Sequence, residues 1–440
     1  MPTPRRTPSR VLGSLGVVAL LTALLGCASP APEDTLAPQT VRVPEDAATI
    51  TEAVELVAEG GLVLVGAGSY REQVLVTTPG VTVRGLDRNE VVIDAEGIRP
   101  YGIVAIADGV SIENLTVTGA LYYGALVTGL HDENGPIAHG GDGYSPFDPA
   151  SFPPVQRFAI DHVTAYNNGL YGLYAFNAQH GVIRDSYASG SADSGIYVGQ
   201  CEDCDILVTG NVAENNAVGF ENANASDSVR VVGNRFSGNR VGMTFLSNHQ
   251  EAFAPQRGNT VVGNLVASNT AADSPAQADG GFGIGIGIGA GTGNTFERNL
   301  ISGNPRAGVL LTSTEDLAAL GNTFRGNAFT GNGVDVANTS TARAPAQGNC
   351  VEDEVTSVVP DGLLDQCAPD VDQPSADASA LPAIEAPPGV SFLRVTPPPA
   401  QPQLPDVDAP ARVLPATVPD PDLTAVALPG ADFLADRARG

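Results

Sequence analysis

Only five histidines occur in this chain, and four of them fall near acidic side chains at spacings that could bind a metal or pass a proton. His131 precedes Asp132 and Glu133, His139 precedes Asp142, and His249 lies two residues before Glu251. Counted from the glycines Gly124, Gly172 and Gly242, the residues His131, His180 and His249 stand at seven, eight and seven positions. His131, His139 and His180 form the candidate metal-ligand set, with calcium or a transition metal as the ion. A second group is aromatic and acidic: Tyr174, Tyr197 and Glu221 recur at one offset from successive glycines, with Phe176 beside them. Sugar rings can rest on tyrosine while their hydroxyls bond a carboxylate, so these four are candidate binding residues for a polysaccharide or cell-envelope polymer. If the chain is an enzyme, Tyr174, Tyr197 and Glu221 are also its catalytic candidates. The alternatives stay open: a solvated acidic rim carrying scattered histidines, and tyrosines that only stack on one another.

What must position these residues is a repeat. Gly172, Gly195, Gly219 and Gly242 open short strands at intervals of 23, 24 and 23 residues, and asparagines five apart recur from Asn211/Asn216 to Asn327/Asn332. After each glycine, apolar and polar residues alternate with period two, as in Ile196, Tyr197 and Val198. A second short strand of the type Ile206-Leu207-Val208 follows, and no repeat has room for a long helix. Strands this brief must pair with their equivalents one repeat away. The expected fold is all-β: a single-stranded right-handed parallel β-helix rising ~4.8 Å per coil. At that rise His180 and His249, three coils apart, are roughly 14 Å from each other, too far to share one ion. The asparagines should stack into hydrogen-bonded ladders, and His162, five residues before Asn167, is expected to replace one of them. Ala47 to Gly60 carries Ile50, Val54 and Val57 at helical spacing and is expected to cap the N-terminal end. Long segments after Gly129 and around His249 leave the repeat, and insertions on one face of a solenoid often form its binding surface.

These repeats, the capping helix and the element Gly68-Ser69-Tyr70-Arg71-Glu72 resemble the pectin-lyase-like superfamily of right-handed parallel β-helix proteins. Among them the chain is similar to bacterial exported β-helix repeat proteins of the copper-maturation type. The resemblance covers roughly residues 41 to 367. It implies the fold but no single activity, because the scaffold carries lyases, hydrolases, esterases, epimerases and non-enzymes. The later catalytic elements of pectin methylesterases are not recognisable. The Arg-Ile-Lys element of polygalacturonases is excluded, since the chain has no lysine. Carbohydrate binding is therefore the first expectation, with a polysaccharide lyase, epimerase or hydrolase, and divalent metal handling, as alternatives.

The chain reads as four segments. Residues 1–26 have the arginines, apolar run and small residues of an export signal. Leu24-Leu25-Gly26-Cys27 resembles a bacterial lipobox, which implies lipidation of Cys27 and attachment to the outer face of the cell membrane. Residues 27–40 form a linker, 41–367 the solenoid, and 368–440 a tail dense in Pro, Ala and Asp that is expected to be extended or disordered, with Phe392-Leu393 and Phe433-Leu434 able to pin it. The formal charge of −27 argues against nucleic acid as a partner, and against bare polyanionic glycans unless calcium bridges them. Outside the cytoplasm the remaining cysteines should pair, most simply as Cys201–Cys204 and Cys350–Cys367.

Overall fold

Each repeat closes into one turn of a three-sided coil. A representative turn runs through Ile206–Thr209, Val212–Glu214 and Val218–Ala225, one strand on each side. The strands of the coil pair in parallel with their counterparts one turn on, so that Ile206 faces Val229, Val212 faces Arg235 and Val218 faces Val241. The computed structural model describes residues 37–137, 147–277 and 280–439. Over these, the coils stack into sheet 1 of 12 strands, sheet 2 of 10 and sheet 3 of 11, named in the order in which the representative turn meets them. This is the right-handed parallel β-helix expected from the period. The leader, Cys27, His139, Asp142 and Tyr144 lie outside the described residues.

Side chains from all three sheets fill the interior. Phe220, Phe236, Phe245, Phe296 and Phe324 are fully enclosed, and the rings of Phe296 and Phe324 stack with centroids 4.5 Å apart. The corners are held by asparagine. Asn211, Asn234, Asn264, Asn299 and Asn327 form one ladder in which each Nδ2 donates to the next Oδ1 at 2.9 Å. Asn216, Asn239, Asn269, Asn304 and Asn332 form a second, and Asn259, Asn294, Asn322 and Asn349 belong to a third. The second ladder explains the periodic glycines. A Cβ on Gly195, Gly219 or Gly242 would meet the amide nitrogen of Asn216, Asn239 or Asn269 at 2.6–2.7 Å, so only glycine leaves room for the ladder beside it.

His162 is not in a ladder. The turn residues there are one position earlier: His162 and Asn167 have φ of 54° and 56°, in register with Gly210 and Asn215 at 66° and 56°. Ser186 and Ser191 occupy the adjoining ladder positions, accepting Val163 N–H or bonding the next asparagine. A five-residue spacing is shared by both columns, which is why the sequence alone placed His162 one residue off.

One helix, Ile50–Leu56, caps the first coil and buries Ile50, Ala53 and Val54 against Val41, Val63 and Val74. Its start is doubly satisfied. Thr49 Oγ1 accepts from Glu52 N–H, and the Glu72 carboxylate accepts from Ile50 and Thr51 N–H at 3.0 and 2.8 Å. Tyr70 donates to Gly66 O at 2.8 Å. The Gly68-to-Glu72 element is thus a clasp for the cap. Both expected disulfides are present, with Cα atoms 5.3 Å apart for Cys201–Cys204 and 4.9 Å for Cys350–Cys367.

The tail is extended, as its composition suggests, but its expected disorder is corrected. It returns along the solenoid and is fastened by polar side chains. Asn167 Nδ2 donates to Val395 O, Arg88 to Pro402 O and Arg298 to Leu423 and Val426 O. An ionic fastening lies on sheet 1, where Arg84, Glu113, Asp161 and Arg184 stack in one column. Glu113 and Asp161 are adjacent like charges with no exposure, and Arg412 of the tail bridges both. A segment without a hydrophobic pattern can order when the scaffold presents two adjacent buried carboxylates that one guanidinium can bridge.

Candidate functional site

The outward column of sheet 3 runs Leu126, Tyr174, Tyr197, Glu221, Thr244, Gly287 and Leu310. The residue before each strand glycine forms a neighbouring column whose first three members are Tyr101, Tyr123 and Tyr171 and whose fourth is Ser194. Together the tyrosines make a packed ladder: Tyr123 stacks on Tyr171 at 5.5 Å, and Tyr171 meets Tyr174 and Tyr197 at 4.6 Å. They point away from the coil interior, as expected, yet they are covered. Tyr174, Phe176 and Tyr197 are 0%, 2% and 2% exposed. Phe147 from the long insertion packs on Phe176 at 5.9 Å and on Phe253 of the shorter one at 5.9 Å. The open aromatic groove expected at Tyr174, Phe176 and Tyr197 is therefore corrected to a roofed aromatic cluster, because the insertions fold down over it.

The open surface begins where the tyrosines end. Glu221, Thr244, Leu246, Gly287, Gly289, Leu310 and Thr312 line a cleft of about 280 Å³, with Gln277, Gly280 and Gly281 on its rim. Gly287 and Gly289 add no side chain to it, and Val241, Leu246, Ile284 and Leu310 supply apolar lining. At its head, Ser194 Oγ donates to Glu221, and Gln277 Nε2 donates to Asp193 at 2.8 Å. Burial first, then the negative charge of Asp193, pushes the Glu221 carboxyl well above the usual carboxylate range, against the pull of the Ser194 hydroxyl. Glu251, from the insertion after Leu246, adds to that field. Its own carboxyl is pushed up to about 7 by burial, with the Asn248 and Gln200 amides pulling the other way. Two carboxyls that keep protons near neutral pH can donate hydrogen bonds or act as acids, which ordinary carboxylates cannot.

The histidines divide. His249 has Nε2 2.6 Å from Glu315 and Nδ1 3.5 Å from Asp316, an exposed trio whose ligand atoms lie within 4.8 Å of one another. The other such group among the described residues, Asp161, His162 and Asp185, is committed to the tail through Arg412. Neither group contains His131 or His180. His131 sits in a short antiparallel bridge with Pro136, and His180 Nδ1 bonds Asp205 at 2.9 Å. Among the described residues His131 and His180 are therefore not assembled into a metal set; His139, the third member of the expected His131, His139 and His180 set, lies outside the described residues. Asp193, Ser194 and Gln277 were missed in the sequence. The signal for Ser194 was present: it breaks the run of tyrosines that precede the strand glycines.

The family model described as a right handed beta helix region matches residues 101–266 and 250–359. No curated protein matches the chain. Among solved structures, the A-module of mannuronan C-5 epimerase AlgE6 from Azotobacter vinelandii is similar at a TM-score of 0.50 and 17% identity, over 70% of this chain and 84% of that one. The enzymatically active domain of tailspike protein 2 from bacteriophage CBA120 gives 0.46 and 10%, over 66% and 44%. An alginate lyase from Paenibacillus gives 0.37 and 16%, over 67% and 96%. At these identities the likeness is one of fold.

Proposed function

This chain belongs to the right-handed β-helix family, and on that scaffold we propose that it binds a carbohydrate polymer in the sheet 3 cleft while held outside the cell by lipid on Cys27. The observation that carries the binding reading is the cleft itself, lined by glycines, by the apolar side chains of Val241, Leu246, Ile284 and Leu310, and by the polar groups of Glu221, Thr244, Gln277 and Thr312. Sugar rings offer C–H faces to apolar side chains and hydroxyls to such groups, and a cleft that runs across four stacked strands suits a chain of them. A second reading, as a lyase, epimerase or hydrolase, is favoured by Glu221, whose proton-holding carboxyl at the head of the cleft has the character of a catalytic acid. The anchor rests on the Leu24-to-Cys27 motif and the linker behind it.

Gly287→Phe tests the site. A Cβ there meets only Thr244 Cγ2 at 3.8 Å and Met243 O at 3.9 Å, so a ring can fill the cleft without forcing the backbone. On a glycan array the wild type should retain at least one polymer, and the variant should lose it with an unchanged melting temperature. Retention by the variant at wild-type strength, or no retained glycan at all, refutes the reading. Reducing or unsaturated ends released from the retained glycan would mark the second reading. Cys27→Ser should move the protein from the membrane fraction to the soluble one.

A further inference from the structure

The turns that follow the strands of sheet 3 form one acidic edge, and its charges are answered in two ways. Glu202 and Asp227 share Arg257, whose Nη2 lies 3.1 Å from each. Glu315 and Asp316 instead meet the imidazole of His249, with Nε2 2.6 Å from Glu315 and Nδ1 3.5 Å from Asp316. Arg343 lies 3.2 Å from the other Asp316 oxygen, and among the described residues Glu315 has no ion-pair partner but His249. An arginine can only neutralise such carboxylates, whereas an imidazole nitrogen is also a metal ligand.

The three side chains come from coils two turns apart, and both sources are fixed. Glu315 and Asp316 are the central residues of a tight turn that Thr314 and Leu317 close with reciprocal backbone hydrogen bonds of 3.1 and 2.9 Å. His249 follows Asn248, whose N–H donates to Asn224 Oδ1 at 2.8 Å and whose carbonyl accepts from Asn224 Nδ2 at 2.6 Å; Asn224 is fully buried. The coil of Gly289 passes between, and its missing side chain lets the two sides close. A Cβ there would meet Leu246 Cδ1 at 2.9 Å and Thr314 Oγ1 at 3.1 Å. One ligand atom from each of His249, Glu315 and Asp316 lies within 4.8 Å of the others. Donors held about 2.1 Å from a zinc ion stand roughly 3–4 Å apart. Rotation of side chains that are 43%, 49% and 47% exposed covers the difference.

We propose that His249, Glu315 and Asp316 bind one divalent transition ion of the zinc kind, which staples the insertion 247–259 to the coil two turns on. One nitrogen with two carboxylate oxygens suits zinc better than calcium, which takes oxygen alone. The formal charge of −27 concentrates any divalent cation at the surface, so it is the imidazole that discriminates. The staple steadies the segment whose Phe253 packs on Phe147 above the tyrosines. It is independent of the carbohydrate reading.

Calorimetry at pH 7.5 with zinc chloride and calcium chloride, on the chelator-stripped full chain, tests it. The wild type should take up zinc at one such site. His249→Gln and Glu315→Gln/Asp316→Asn should each bind it about tenfold or more weakly. His180→Gln, which alters the imidazole paired with Asp205, should bind zinc as the wild type does. Calcium should bind more weakly than zinc and be indifferent to His249→Gln. Zinc should also slow hydrogen exchange across segment 247–259 in the wild type and not in the variants. The comparison of zinc with calcium, and the exchange measurement, need no variant to fold. No zinc uptake, zinc bound by His249→Gln at wild-type strength, or exchange unchanged by zinc overturns the proposal. Calcium bound as tightly as zinc also overturns it, in favour of the carboxylates acting alone.

Discussion

Arg412→Ala should release the tail from the solenoid. The guanidinium bridges Glu113 and Asp161, two adjacent carboxylates with no exposure, at the point where the tail crosses sheet 1. Removing one partner from a buried ion pair typically costs about 3–5 kcal/mol, and because Arg84 and Arg184 remain beside these carboxylates the lower figure, about 3 kcal/mol, applies. That loss falls on tail docking, and at 1.4 kcal/mol per tenfold it corresponds to opening on the order of 100-fold more often. The structure supplies its own reporters. Leu404 N–H donates to Asn114 Oδ1 at 2.7 Å, Arg412 N–H to Thr82 Oγ1 at 2.8 Å and Val418 N–H to Asp205 Oδ2 at 2.8 Å. Hydrogen exchange should accelerate on that scale at positions 404 and 412, and less at Val418, which the Arg230–Asp420 pair holds separately. The effect should also depend on pH. Burial works against ionisation of Asp161, but hydrogen bonds from His162 and Arg184 and the charges of Arg184 and Arg412 outweigh it and hold the carboxyl down at about 2. A depressed carboxyl stabilises the folded state above its unfolded value near 3.8, and that stabilisation is lost as pH falls through about 2. The difference between wild type and variant should therefore shrink from pH 5 to pH 2. Equal protection of all three amides at pH 7 would refute the assignment of Arg412 as the clasp.

Asn264→Ala removes the acceptor of Asn234 N–H and Nδ2, both buried, and should cost about 3 kcal/mol by thermal unfolding. Asn332→Ala, at the half-buried end of the second ladder, should cost distinctly less. Glu251→Gln should stabilise the protein at pH 8 relative to pH 4. The wild-type carboxyl, raised from 4.5 to about 7, favours the proton-bound folded state, so stability falls as pH rises through that window. The relative gain should be on the order of 3 kcal/mol, read from melting curves at the two pH values.

The period of the glycines and asparagines carried most of the fold, because in a stacked coil each residue's neighbour is its own counterpart one turn away. Tyr174, Tyr197 and Glu221 were correctly aligned on that basis. What could not be read was their cover: the insertions do not repeat, so nothing in the period says whether Phe147 and Phe253 fold over the tyrosines or stand clear. The tail failed for a related reason. Its order depends on single arginines meeting single carboxylates, Arg412 above all, and composition averages such pairs away. His162 shows the resolution limit of a repeat, since two columns one residue apart have the same spacing.

The corners of the coil are unequal. Between sheets 1 and 2 the chain turns in two residues, as at Gly210-Asn211 and Gly233-Asn234. Segments that leave the repeat, 129–154, 247–259 and 268–283, all border sheet 3. Evolution can thus lengthen, shorten or exchange these segments without disturbing the register of a single strand. Grafting new loops at those three junctions is a route to new surfaces on an unchanged frame.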